Sequence, residues 1–382
     1  MVTCLSSLFN RFAFPYCLVA LLPISIYLRM DFTGQILQWY HENKRELPWR
    51  KTTDPYLIWV SEILLQQTRI GQGLPYYERF IRVFPSAGHL AKAEEEEVLK
   101  LWQGLGYYSR ARNMHRAARM IMNQFEGRFP DTYLSILSLP GVGDYTAAAI
   151  ASIAFHLPHA VVDGNVIRFL SRYYGITEPA GSSKSCIAIK GKASVLMDPE
   201  HPGTFNQAMM EYGARVCLPV SLQCQTCIFN SGCFAFQHMV VDQLPVKRIS
   251  IKQKLRYFNY LVFHKEGSVS LYLKKRVETD IWKGMYDFPL IETEKPVSVK
   301  ILLKHPSWIR MPLHDLEKPL KRLGELHHVL THQRIIARFY KIWFDPNAVL
   351  PQDWVEIKDL EQIPVPRLIE KFIQHTLPSD NL

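Results

Sequence analysis

Leu139-Pro140-Gly141-Val142-Gly143-Asp144-Tyr145-Thr146 opens the stretch that decides the fold, and Val161-Val162-Asp163-Gly164-Asn165-Val166 closes it. A proline followed by two closely spaced glycines predicts a tight turn, with both glycines free to take positive φ. A helix is expected from about Asp144 to Ala154, small on one face through Ala147, Ala148 and Ala151. Such a turn points the N–H groups of Gly141, Val142 and Gly143, with a helix N-terminus behind them, at one place, which suits a phosphate. Asp163 follows the apolar Ala160-Val161-Val162, where a carboxylate is costly unless it is paired or used. A glycine-rich connector and an N-capping aspartate would account for either half alone. The two together call for more.

Working outward, the flanks read as helices. Ile36, Leu37, Trp39 and Tyr40 recur at helical spacing after Asp31, and Leu47-Pro48-Trp49-Arg50 makes a proline-fixed corner. Residues 56–70 are expected as one helix in which Glu62 shares an apolar face with Ile58 and Leu65. Further helices are expected at 74–84, 94–103, 109–125, 132–137, 166–174, 183–197 and 204–216. Gly104-Leu105-Gly106-Tyr107-Tyr108-Ser109-Arg110 is a glycine-broken loop between two of them. Past a basic, proline-flanked connector the texture changes to strands. Segments 257–264 and 269–275 are expected as strands flanking a Glu266-Gly267 turn, and 335–344 alternates apolar and polar residues.

The 382 residues suggest two domains, and 48% apolar content suffices for two cores. A formal charge of +10 suits an anionic partner without naming one. Residues 12–28 are apolar but interrupted by Pro15 and Pro23 and short for a membrane span, so residues 1–30 are read as a disposable leader or an over-extended start. Four of the seven cysteines lie in Cys217-x6-Cys224-x2-Cys227-x5-Cys233. Four thiolates on a short loop can enclose a 4Fe-4S cluster, one sulfur to each iron. Zinc is the competing occupant, though its sites usually present two separated C-x-x-C pairs.

The turn, the following Asp163 and the 6-2-5 cysteine spacing resemble the helix-hairpin-helix/Gly-Pro-Asp superfamily of base-excision DNA glycosylases, in its endonuclease III and MutY branches. The resemblance implies a mainly α domain at 31–235 with an iron–sulfur loop at 217–233. Glu62 and Asp163 would then form the carboxylate pair that depurination needs: an acid for a poor leaving group and an anion beside a cationic sugar. A glutamate desolvated among Ile58, Trp59 and Leu65 is expected to hold its proton more tightly than usual.

Trp59-Val60-Ser61-Glu62-Ile63-Leu64-Leu65-Gln66-Gln67-Thr68 is similar to the catalytic-glutamate helix of the MutY family of adenine DNA glycosylases, and this likeness extends over residues 31–375. It implies catalytic roles for Glu62, Asp163, Tyr145 and Asn165. It further implies an adenine pocket of Arg45, Leu47, Trp49, Arg50 and Gln207, and duplex wedges at Gln67, Leu105 and Tyr107. Where strand-cutting relatives carry a lysine, this chain has Tyr145, which forms no Schiff base and implies a monofunctional enzyme. Residues 236–254 are expected as a linker and 255–375 as an α+β Nudix-like domain without a hydrolytic box. In that domain Thr331 and His332 match an 8-oxoguanine-recognition loop, with Leu330 where an aromatic is usual. The implied partner is double-stranded DNA with adenine opposite 8-oxoguanine or guanine, met by a monomer at the nucleoid in the cytoplasm, with no membrane role. A glycosylase removing thymine or uracil, and a non-catalytic iron–sulfur DNA-binding protein, are the rivals; Glu62, Asp163 and the C-terminal domain argue against them.

Overall fold

The computed structural model describes residues 24–220, 222–248, 253–265, 271–309, 320–344, 351, 354–357 and 363–376. The leader reading for residues 1–30 lies largely outside these; from Ile24 the chain is already helical. Among the described residues no helix is long and apolar enough to cross a membrane. The chain divides into two compact units: Met1–Ile58 with Asp131–Leu137 and Val142–Arg248, and Trp59–Pro130 with Ser138–Gly141 and Ile249–Leu382.

The first unit is helical: α1 (Ile24–Asn43), α7 (Tyr133–Leu137), α8 (Asp144–Phe155), α9 (Gly164–Tyr174), α10 (Ser183–Leu196), α11 (Pro202–Arg215) and α12 (Phe234–Gln237). Its core gathers Phe32 and Ile36 of α1, Phe169 and Leu170 of α9, and Phe205, Met209 and Tyr212 of α11. Phe32 stacks on Phe229 of the cysteine loop at 4.4 Å, so the loop is part of that core. α11 approaches α9 closely because Gly213 carries no side chain; a Cβ there would lie 2.7 Å from the Asn165 carbonyl oxygen.

The second unit holds α3 (Ile70–Val83), α4 (Ala87–Lys92), α5 (Glu95–Leu101) and α6 (Ser109–Gln124), then, among the described residues, seven strands. β1 (Lys254–Lys265) runs parallel to β6 (Gln333–Phe344) at the centre of a four-stranded sheet, ordered β4 (Leu290–Thr293), β1, β6, β5 (Lys321–Val329). A three-stranded sheet pairs β2 (Leu271–Lys275) with β3 (Tyr286–Asp287) and β7 (Trp354–Ile357). The two expected strands both form, as β1 and β2, but belong to different sheets, and the Glu266-Gly267 turn lies outside the described residues. β1 instead pairs with β6, whose buried Ile335, Ala337, Phe339 and Ile342 alternate with less buried residues.

Two other expectations need correction. Helix α2 (Pro55–Leu65) ends five residues before Ile70, and the backbone turns at Gln67 with φ 56 before α3 begins. The stop comes from outside the segment: the Arg110 guanidinium donates to the carbonyls of Ile63, Leu64 and Gln66 at 2.8, 3.1 and 2.6 Å. Those carbonyls are a helix C-terminus, where a cation is favoured. In the glycine turn only Gly141 takes positive φ, at 79, while Gly143 is extended at φ −103 as the N-cap of α8. A Cβ at Gly141 would lie 2.6 Å from Asn113 Cβ, so that position requires glycine twice over.

Candidate active site

Asp163 is the N-cap of α9, and its two oxygens divide the work. Oδ1 accepts from the Val166 N–H at 2.7 Å, and Oδ2 accepts from Asn165 Nδ2 at 2.7 Å. The capping interpretation is thus true and incomplete, since half of the carboxylate is committed to the helix and half to Asn165. Burial pushes this carboxyl above its ordinary value, against the pull of the Val166 and Asn165 donors and the Arg168 charge. An anion held at such a cost gains most when positive charge develops beside it.

The segment leading into Asp163 is fixed by Asn206, which sequence reasoning missed. Its Nδ2 donates to Ser152 Oγ and to the His159 carbonyl, both at 2.8 Å, and its Oδ1 accepts from the Val161 N–H at 3.0 Å. Every polar atom of this buried amide is used, which ties α8, the approach to Asp163 and α11 into one frame. Tyr145, on the first turn of α8, places its hydroxyl 3.6 Å from Met210 Sδ on α11.

Below Asp163, α9 reaches the cysteine loop. Arg168 Nη2 donates to Asn165 Oδ1 at 3.0 Å and its Nε to the Cys217 carbonyl at 2.7 Å. One turn further, Arg172 Nη1 donates to Cys217 Sγ at 3.4 Å and to the Leu218 carbonyl at 2.7 Å. Cys217, Cys224, Cys227 and Cys233 line one cavity with Phe169, Arg172 and Phe229. Burial pushes the thiols of Cys217, Cys224 and Cys233 up, so a cationic centre is needed to hold them as thiolates. Among the described residues no three Cys, His, Asp or Glu side chains converge as ligands of a single ion do. Zinc would draw all four sulfurs to one centre, whereas a cubane offers each its own iron. The donor set fits the cubane better.

The predicted adenine-pocket residues also fall in the first unit. Pro48–Arg50 forms a single helical turn that buries Leu47 and Trp49. Gln207 accepts from the Tyr40 hydroxyl at 2.6 Å through Oε1. Arg45 and Arg50 both turn to Glu211, a carboxylate that the sequence did not single out: Arg45 Nε at 2.7 Å, Arg45 Nη2 at 2.6 Å and Arg50 Nη2 at 2.7 Å. Glu211 is 1% exposed, and although burial opposes it, the two guanidiniums hold its carboxyl at about 2.

Glu62 and the expected wedges lie in the second unit. Glu62 is 9% exposed on a helix whose neighbours Trp59, Val60, Ile63 and Leu64 are almost fully buried. Gln67 and Tyr107 are both non-glycine residues in the left-handed region, at φ 56 and 49. Two such positions at two expected wedges are strain of the kind that functional sites retain. Leu105 packs inward at 8% exposed while Tyr107 stands out at 43%. Arg110 holds both turns, because its Nη2 also donates to the Gly106 carbonyl at 3.2 Å and its charge lies over the Tyr107 ring at 5.7 Å. Burial lowers Arg110 to about 10.

Thr331 and His332 are exposed where the chain enters β6. The Thr331 hydroxyl is hydrogen-bonded to that of Tyr107, joining the expected reader to the expected wedge. With Tyr108, Trp282 and His328 they line a cavity of about 450 Å3, of the size that takes a small ligand or a base. Trp282 and His328 went unremarked as cavity residues in the sequence; their rings meet edge to face at 5.6 Å.

Residues 60–188 match the model of the HhH-GPD superfamily base excision DNA repair proteins, and residues 259–375 match a NUDIX domain. An adenine DNA glycosylase of Buchnera aphidicola (subsp. Acyrthosiphon pisum) is 31% identical over 350 residues, covering 90% of this chain and 97% of that one. The adenine DNA glycosylase of Rattus norvegicus is 34% identical over 81% of this chain and 70% of its own length. Among solved structures, a thermostable thymine-DNA glycosylase superposes with a TM-score of 0.52 and 30% identity, covering 56% of this chain and all of that one.

Proposed function

The chain belongs to the adenine DNA glycosylase family, a DNA-repair hydrolase by that membership, and from this premise we propose that it removes adenine paired with 8-oxoguanine or guanine after flipping it from the duplex. The observation that carries the reading is Asp163, a desolvated carboxylate at the N-cap of α9 whose oxygens accept from the Val166 N–H and from Asn165. Glu62 donates a proton to a ring nitrogen of adenine, the bond from that base to the sugar breaks, and Asp163 offsets the oxocarbenium charge left behind. Water adds to the sugar carbon and loses a proton, giving free adenine and an abasic site. Arg45, Leu47, Trp49, Arg50 and Gln207 shape the base pocket, and Tyr145 and Asn165 support the charge on Asp163. Gln67, Leu105 and Tyr107 fill the gap that the flipped base leaves. Gly141, Val142 and Gly143 meet a backbone phosphate. We assign residues 31–235 to the glycosylase part and 255–375 to the reader, acting as a monomer. The test is alkaline cleavage of duplexes carrying each possible mispair after incubation with the protein. Strand breaks at adenine opposite 8-oxoguanine and guanine support the reading, and breaks at thymine or uracil mispairs alone would replace it.

Cys217, Cys224, Cys227 and Cys233 would hold the 4Fe-4S cluster, whose contribution is to cross-link the loop against α9. About four irons per chain are expected after anaerobic purification. Stoichiometric zinc, no iron and full activity would defeat this assignment.

Tyr145 stands where a nucleophilic lysine would make the enzyme cut the strand. Borohydride reduction during turnover should therefore trap little or no protein on the abasic product. Efficient trapping on one lysine would make the enzyme bifunctional.

A further inference from the structure

We propose that Arg256 and Gln333 fix His332 in the tautomer protonated on Nδ1, and that this donor is what tells an oxidised guanine from guanine. The inference rests on the reading of Thr331 and His332 as contacts to the base opposite adenine. Arg256, on β1, is 9% exposed and uses all five of its N–H groups. Nε donates to Glu292 Oε1 at 2.7 Å and Nη2 to Glu292 Oε2 at 2.6 Å. Nη1 and Nη2 donate to the two Asp280 oxygens at 2.9 and 2.7 Å, and Nη1 also donates to Gln333 Oε1 at 3.0 Å.

The last of these bonds decides the orientation of the Gln333 amide. A guanidinium has no acceptor, so the amide turns its oxygen to Arg256, and its NH2 group faces the other way. There it meets His332 Nε2 at 2.9 Å. An N–H can meet a ring nitrogen in a hydrogen bond only if that nitrogen bears a lone pair. Nε2 is therefore bare and the neutral ring carries its proton on Nδ1, the reverse of the preference of a free histidine in water. Gln333 is 5% exposed and held from both sides, so the relay is rigid, and the backbone under it is fixed as well. Lys254 N–H donates to the His332 carbonyl at 3.0 Å, and Leu330 N–H to the Gln333 carbonyl at 2.8 Å.

The exposed ring thus offers Nδ1–H as its remaining donor, at the edge of the cavity it shares with Thr331. 8-Oxoguanine carries a C8 carbonyl that accepts and an N7–H that donates; guanine has neither. Nδ1–H matches that carbonyl, and the Thr331 hydroxyl, which can accept, matches N7–H. A ring protonated on Nε2 alone would present a lone pair to the carbonyl and repel it. Arg256 and Gln333 are positioning residues here, acting on the base only through His332.

Nitrogen-15 histidine spectra of the full chain test this, with the His332 signal identified as the one lost in His332→Ala. The wild type should show Nδ1 protonated. In Gln333→Glu the carboxylate has only acceptor oxygens, so the proton should move to Nε2 while the ion pair with Arg256 keeps the strand in place. That variant should lose about tenfold in the ratio of single-turnover excision from 8-oxoguanine over guanine mispairs, the scale of one specific base contact. Gln333→Met, which releases the ring, should fall between. A wild-type ring protonated on Nε2, or an unchanged ratio in Gln333→Glu with the tautomer inverted, would overturn the inference. A ratio unchanged in His332→Ala would instead remove the underlying reader assignment, whatever the spectra show.

Discussion

Glu62→Gln is expected to bind the mispaired duplex as well as the wild type and to release adenine more slowly by a factor of about 100 to 10,000, the contribution of a positioned general acid. The substitution keeps the shape and removes the acid. Glutamine has nearly the same shape, and position 62 is enclosed on a helix where Trp59, Val60, Ile63 and Leu64 are buried. What the amide lacks is a proton that can be given up to a leaving adenine. Single-turnover excision beside an equilibrium binding assay separates the two effects. Release at near wild-type rate would take Glu62 out of the mechanism, and loss of binding with excision would recast it as a structural residue.

Glu211→Gln is expected to cost roughly 3–5 kcal/mol of stability, as when one partner of a buried ion pair is removed. Arg45 and Arg50 would keep their positive charges with no carboxylate between them. The pH dependence makes the attribution specific. The Glu211 carboxyl ionises at about 2 in the folded chain against an ordinary 4.5, so its stabilisation is fully present above 4.5 and is lost as the pH falls toward 2. The tighter hold on the ionised form in the folded chain corresponds to roughly 3 kcal/mol. Urea midpoints should therefore separate wild type from variant widely at neutral pH and converge in acid. A separation that does not narrow in acid would mean that the network owes its stability to packing.

The helices and the two ends of the catalytic stretch were legible because their causes are local. The small face of α8, the turn at Gly141 and the cap at Asp163 are each written within a few neighbouring residues. The misreadings have distant causes. α2 ends at Leu65 because Arg110, 44 to 47 residues away, takes its terminal carbonyls. Nothing near β1 announces that it pairs with a parallel strand some eighty residues downstream. Glu211 looked like one more glutamate on a helix, since its partners lie 161 and 166 residues before it. Thr331 and His332 were found by resemblance alone; the Arg256–Gln333 relay behind them has no pattern in the chain.

Arg110 reaches back to close α2 and forward to hold the Gly106 carbonyl, so the turns at Gln67 and Tyr107 hang from one side chain. Removing the Arg110 guanidinium would therefore loosen both turns in a single step. The two turns behave as one mechanical part, although forty residues of chain separate them.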